Sequence, residues 1–479
     1  MDSVDVELSP DTKEEIMADV ATAIPRMFRP PAPQAPVGPL SPLRLLRAIF
    51  FNPLHVWSRQ HFEDLVVVER TMLGARLLIS DPALIKLILV DNADRYVRDS
   101  LQQRLLYRVT GRGVFTAEGN DWQVQRKVLA PHFSAKALAA YTPGIAAAAR
   151  DTVSRLSGLG NESFDLGREM WTMAVDVLGR TVFTGGLDEP PASIASNLHR
   201  FSNSNGQVEV GDLLRLPPWM PGVRRLWGWR ATAQVRQRGR RILAKAKAST
   251  LSPMADFLSA QISAGSSDSG RTIHDRTIED NISAILGAGS DTAAVALMWS
   301  IFLLSQVPRV REAVEAEVDA NLGDGVPTAE TLSKLMWTRA VIEEAMRLYP
   351  PAPLIGRMSC SEERLGGELF PAGTTILISP WVLHRHARLW SEPDMFEPER
   401  FLPGRREQSP RFTYLPFGSG PRVCLGMGLA LQEAIIALAT LIKHLRFERA
   451  DDQPIRLRHC MTLHTDAPLR MRASLRQTP

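Results

Sequence analysis

One cysteine in the chain sits where its chemistry could be used. It lies in Phe417-Gly418-Ser419-Gly420-Pro421-Arg422-Val423-Cys424-Leu425-Gly426, just ahead of an apolar helix expected over Leu429 to Leu441. Glycines at 418, 420 and 426 free the backbone for positive φ and for close approach of a bulky, flat group, while Pro421 stiffens the turn. Such a loop can aim several N–H groups at one sulfur, and donors of that kind stabilise a thiolate and tune a metal bound to it. Arg422 is placed to reach an anionic edge of the same group. Cys424 is thus the candidate metal ligand, although a lone cysteine in a tight turn can equally be a plain core residue. Cys360 and Cys460 lie far away with no Cys-x-x-Cys spacing, which speaks against a zinc site or a disulfide framework.

Every fixed position of Phe-x-x-Gly-x-Arg-x-Cys-x-Gly is met, and the stretch resembles the haem-binding signature of the cytochrome P-450 family. The resemblance implies a haem b cofactor with Cys424 as the only iron ligand among the cysteines, and with Phe417, Arg422 and Gly426 packed about it. It extends from about residue 40 to residue 475. The implied fold is mainly α with a small β-rich lobe, a single large haem domain over residues 41–479 preceded by a flexible, proline-rich segment over 1–40.

A second chemical element lies in a long apolar helix. Thr277 followed by Asp280 reads as a capping box with Asp for Glu, and the helix it opens runs through Ala284, Leu286, Thr292 and Leu297 and ends before Pro308. Gly287 and Gly289 each cost about 1 kcal/mol there relative to alanine. Asp291-Thr292 adds a charge and a hydroxyl to the same apolar run. A functional kink at Ala288-Gly289 would leave a carbonyl unpaired and open a groove for a diatomic ligand and water; a glycine-mediated helix crossing with a satisfied polar pair is the plainer account. Ala288-Gly289-Ser290-Asp291-Thr292 resembles the family's oxygen-activation motif, with Ala293 where a second hydroxyl residue is usual, and implies that Asp291 and Thr292 relay protons.

Glu344 and Arg347 are three apart on a helix and share a face. Read locally they are a surface pair of a few tenths of a kcal/mol; the resemblance makes them the family's Glu-x-x-Arg pair, joined by Arg400 of Pro398-Glu399-Arg400-Phe401 in a buried structural triad. It also assigns Trp122, Arg126, Arg357 and Arg422 to the two haem propionates, since anions beside an apolar pocket need cationic partners. Phe115, Ala288, Pro353, Leu354, Met461 and Thr462 match pocket-lining segments, and their overall apolarity suggests a hydrophobic substrate, although each could be core.

The remaining organisation is coarser. Strands are expected at Val66-Val67-Val68 and Ala75 to Ser80 around a turn at Met72-Leu73-Gly74, and a short helix from Pro82 to Asn92. Pro30 to Pro36 is extended and Ser263 to Gly270 a loop. The apolar Leu216 to Pro221 loop reads by itself as a packed surface loop; the resemblance implies instead a flexible lid, with Trp219 and Met220 facing a substrate entrance or a membrane surface. Composition is that of a globular protein: 44% hydrophobic, 23% charged, net charge +4 with eight lysines among 56 basic residues. That balance is too mild for nucleic-acid binding. With no signal-like start and no run of about 18 apolar residues, a cytoplasmic protein without a transmembrane anchor is expected.

The resemblance implies a monooxygenase that puts one atom of O2 into a fatty acid, terpenoid or steroid-like molecule, closest in the style of Ala345 to Pro351 to the fatty-acid and microsomal branch. A peroxygenase or rearrangement enzyme, or a haem sensor, is the alternative. Since the chain ends within 55 residues of Cys424, electrons from NAD(P)H are expected through a separate ferredoxin or flavodoxin with its reductase, docking near Lys127, Arg405, Arg406, Arg411 and Arg422.

Overall fold

The computed structural model describes residues 28–71, 74–183, 186–187, 189–213, 223–248, 257–265, 273–323 and 325–476. The expected lid at Leu216 to Pro221, the turn residues Met72 and Leu73 and the first 27 residues of the N-terminal segment lie outside that set.

Helices make most of the domain, and a 32-residue helix, Asp275–Gln306, runs through its centre. Its sequence is apolar on nearly every side, which in a globular protein means burial all round, and Ile282, Leu297, Trp299, Ile301 and Leu303 are wholly enclosed. This helix and Met427–His444 are long and apolar enough to cross a membrane by length and composition, contrary to the expectation that no such run exists, but 78% and 61% of their apolar windows is buried against the rest of the fold. Trp299 stacks on Tyr349 with ring centroids 3.8 Å apart, tying the central helix to the helix Met336–Leu348. Helix 275–306 starts two residues before Thr277, with His274 as its N-cap. The expected capping box is not used; Asp280 instead accepts from the Arg112 backbone N–H at 2.8 Å.

The β-rich lobe is a five-stranded sheet in the order Val66–Thr71, Gly74–Ile79, Thr375–Ile378, Ile355–Ser359, Tyr96–Arg98. The first two strands form the expected hairpin, and a helix over Pro82–Lys86 continues into a π-helical turn at Leu87–Asp91. Smaller sheets include the C-terminal hairpin, in which Arg458 faces His464 and His459 faces Leu463.

Two loop expectations need correction. Of the expected loop from Ser263 to Gly270, residues 263–265 belong to the helix Phe257–Gly265, and 266–270 lie outside the described residues. Residues 28–36 are extended but anchored rather than free: the Phe396 N–H donates to the Phe28 carbonyl, the Tyr349 hydroxyl to the Pro31 carbonyl and the Arg59 N–H to the Pro36 carbonyl, at 3.0, 2.9 and 2.8 Å.

Candidate functional site

The cysteine loop and the central helix form opposite walls of one cavity of about 1060 Å³. Gly418 and Gly420 hold φ of 70° and 72°. At Gly420 the left-handed backbone coincides with a close approach: a β-carbon would lie 1.7 Å from the Leu89 carbonyl oxygen in the π-helical turn. The loop is closed by the Cys424 N–H donating to the Phe417 carbonyl at 2.9 Å. Cys424 is exposed only in the sense that its surface faces the cavity it lines; the surroundings are otherwise dense. Burial pushes its thiol above the ordinary range, while a hydrogen bond from the Gly426 N–H and the charge of Arg126 pull the other way. Both of these favour the anion a metal would draw from it.

Around the cavity rim, positive charge exceeds negative. Arg98 and Arg357 are directly opposed residues on neighbouring antiparallel strands, an arrangement that is destabilising unless an anion lies between like charges. Burial, then the neighbouring guanidiniums, depresses both to about 10, and the same causes lower Arg422. Glu118 is the one carboxylate acting on all three among the described residues. It is ion-paired to Arg422, and its other oxygen is 3.7 Å from Arg98 Nε. Trp122 carries Arg422 and Arg126 over its ring at 4.2 and 5.9 Å, and Arg126 donates to the Val423 carbonyl at 2.8 Å, bracing the cysteine loop. Such a rim suits a flat group bearing two anionic arms.

On the opposite wall Ala288, Gly289 and Thr292 line the cavity, and so do Phe115, Pro353, Leu354 and Met461 among the expected pocket residues, together with Phe417, Arg422 and Gly426 of the loop. Helix 275–306 is α-helical without interruption at Ala288-Gly289. The expected unpaired carbonyl is absent because the α-helical ladder continues through these residues, and the Thr292 hydroxyl donates to the Ala288 carbonyl as well, at 2.7 Å. Close packing accounts for Gly289, whose added β-carbon would meet Leu178 at 3.2 Å.

Two expected residues are not at the cavity wall. Asp291 is buried and points to the C-terminal hairpin, where the Thr462 hydroxyl donates to its Oδ2 at 2.6 Å and His464 Nε2 lies 2.9 Å from Oδ1. Thr462, expected to line the pocket, is therefore a partner of Asp291. Sequence reasoning missed His464 and Arg98 altogether; Arg98 could have been found from its register opposite Arg357, had the three-residue strand been read.

Glu344 and Arg347 are completely enclosed. Arg347 donates to both oxygens of Glu344 at 2.6 and 2.8 Å and to the carbonyls of His384, Pro393 and Met395. Arg400 Nε is 3.6 Å from Glu344 Oε1, and its other side pairs with Glu397 at 2.8 Å. The three expected members do meet.

Comparisons with known proteins agree with this geometry. The family model "Cytochrome P450" matches residues 54–469. Cyclooctatin synthase of Streptomyces melanosporofaciens is 33% identical over 81% of this chain and 84% of its own length. Cyclooctat-9-en-7-ol 5-monooxygenase of the same organism is 33% identical over 71% and 73%, and a cytokinin hydroxylase of Arabidopsis thaliana 31% over 82% and 77%. With a family match over residues 54–469, relatives matching 71–82% of the chain, and a cysteine loop and a threonine helix lining one cavity, the chain belongs to the cytochrome P450 family and is a P450 monooxygenase.

Proposed function

We propose that the protein inserts one oxygen atom of O2 into a hydrophobic small molecule, terpenoid before fatty acid or steroid, with electrons from NAD(P)H delivered by a separate ferredoxin or flavodoxin. The observation that carries this reading is the cavity itself: a cysteine on one wall, a threonine on the other, and apolar side chains such as Phe115, Ile285, Ala293, Ala296 and Leu354 between them. The relatives named for cyclooctat-9-en-7-ol and for pentalenene favour the terpenoid choice.

Haem fits the residues present. Cys424 would hold the iron, while Arg98, Arg126, Arg357 and Arg422, with Trp122 beneath two of them, would hold the propionates. Bound there, haem supplies the activation of O2. The chain's own part is to keep the space dry, to position the substrate against the Ala288–Thr292 wall, and to bring protons through Asp291 and Thr292. Exposed Lys127 and Arg411 give the cysteine side a positive surface for an acidic partner, whereas Arg405 and Arg406 are paired with Glu397 and Glu343.

The test is a spectral-shift screen of terpenoids, fatty acids and steroids against the purified protein, followed by turnover of the binders with a ferredoxin and its reductase. A terpenoid that displaces the Soret band and is recovered hydroxylated supports the reading. No shift with any apolar ligand, or turnover with peroxide alone, overturns it.

A further inference from the structure

The polar contacts behind Asp291 form a wire that ends at the surface. The Thr462 hydroxyl gives its hydrogen to Asp291 Oδ2 at 2.6 Å, and its oxygen lies 2.7 Å from His464 Nε2. Since that hydroxyl hydrogen is committed to a carboxylate, the oxygen must accept, so Nε2 carries a hydrogen. Nε2 is also 2.9 Å from Asp291 Oδ1, off axis for a hydrogen bond but close enough for strong charge attraction. The ring is held in place: Trp171 stacks on it at 5.6 Å and 17°, the Trp171 indole N–H donates to Ser290 Oγ at 3.1 Å, and His199 meets its edge at 6.1 Å. Exposure falls inward along the path, from 19% for the His464 side chain to 8% for that of Asp291.

We propose that His464 and Thr462 are the proton entry of this enzyme. The imidazolium passes its Nε2 proton to Thr462 Oγ1 as the Thr462 hydroxyl proton passes to Asp291 Oδ2. This leaves a neutral imidazole, which regains a proton from water, an intact hydroxyl, and a neutral carboxylic acid. Neutralisation removes the attraction that holds Asp291 against the hairpin and lets it turn toward Thr292 at the cavity wall. The inference rests on the monooxygenase reading, in which Asp291 and Thr292 deliver protons. Other charged or titratable groups facing this ring are His199 on the helix Pro191–Asn205, Asp165 beside His199, and Arg458 and His459 on the opposing hairpin strand. Burial holds His459 near 4, so it stays neutral. His464 and Thr462 are positioning residues acting through Asp291.

Two readouts test this on the full-length holoprotein. Proton NMR should show a downfield Nε2–H resonance protected from water exchange, absent from His464→Gln, lost in Thr462→Val and kept in Thr462→Ser. In turnover with a ferredoxin and reductase, product per cofactor oxidised should fall on the order of tenfold in His464→Gln and Thr462→Val, below the ~10²-fold of a direct proton donor because water can substitute. Thr462→Ser should restore it. A protected resonance with unchanged coupling in both disruptive variants overturns the proton entry. Absence of the resonance from the parent overturns the contact. A parent with no hydroxylated product from any ligand, its resonance intact, points instead to failure of the monooxygenase reading.

Discussion

Replacing Glu344 by alanine should destabilise the domain without touching a substrate contact. The carboxylate is completely enclosed and accepts two hydrogen bonds from Arg347 and one from the Glu397 N–H at 2.8 Å. Its loss strands a buried guanidinium, for which breaking a buried pair costs about 3–5 kcal/mol. It also strands the part-buried Glu397 N–H, for another ~1 kcal/mol, at the low end of the ~1–3 kcal/mol for a lost partner. The carbonyls of His384, Pro393 and Met395 still accept from Arg347, so the lower ends apply and about 4 kcal/mol is expected. That is a large share of the roughly 5–15 kcal/mol separating folded from unfolded chains. Heat is a poor assay for it: at about 2.1 cal/mol/K per residue, 479 residues give an unfolding entropy near 1 kcal/mol/K, so Tm would drop by only about 4 °C. Urea titration at constant temperature, read by the Soret band and by far-UV circular dichroism, resolves the change directly. Arg347→Met added to Glu344→Ala should recover part of the loss, because the stranded charge is gone. A stable, haem-loaded Glu344→Ala protein with altered kinetics alone would refute the structural assignment.

Four further outcomes follow. Cys424→Ser should lose the thiolate-type red-shifted Soret band of the reduced carbon monoxide adduct; retention of that band would show another ligand. Thr292→Ala should leave substrate Kd within about tenfold, or roughly 1.4 kcal/mol, while diverting reduced cofactor to peroxide or water, measured as product and peroxide per cofactor oxidised. Arg98→Gln should release haem faster to an acceptor protein with the position of the carbon monoxide band unchanged. Glu433 is buried, its Oε1 has no hydrogen-bond partner, and burial raises its carboxyl well above the usual range. A group raised in the folded state contributes fully below its unfolded pKa and loses stability as pH rises above it. Glu433→Gln should therefore gain on the parent by about 1.4 kcal/mol per pH unit above the ordinary glutamate range, and the gain should vanish in urea titrations run below it.

Legibility of the site followed sequence separation. Cys424 and its glycines, and Glu344 with Arg347, could be singled out because each pattern lies within ten residues, although turn geometry and helical spacing alone left a core cysteine and a surface pair open and the family resemblance chose between the readings. Long-range partners do not. Thr462 reads as an apolar-hairpin residue until the hairpin is folded beside Asp291, 171 residues away in sequence. Arg98 sits in a strand of three residues with no periodicity of its own, and only register with 355–359 places it. The helix start failed for a related reason: Asp280 has the right spacing from Thr277 for a cap but finds a better partner in the Arg112 N–H of another segment. Gly289 was read as a weak point, whereas it packs closely on Leu178 of the neighbouring helix, which would have to shift by a few tenths of an ångström to admit a β-carbon.

The contact at Gly420 sets terms for anyone who would retune this enzyme. Backbone meets backbone there, with Leu89 supplying the oxygen and no side chain able to intervene. Sequence drift in the surrounding residues leaves such a joint unaltered, so the stand-off between the sulfur and the β-rich lobe behaves as a fixed dimension of the part. Library design aimed at redox potential gains nothing from position 420, where every substitution breaks the joint. Variation is better spent at Ser419, Val423 and Leu425, which can change the polarity around the sulfur while the frame that aims it stays still.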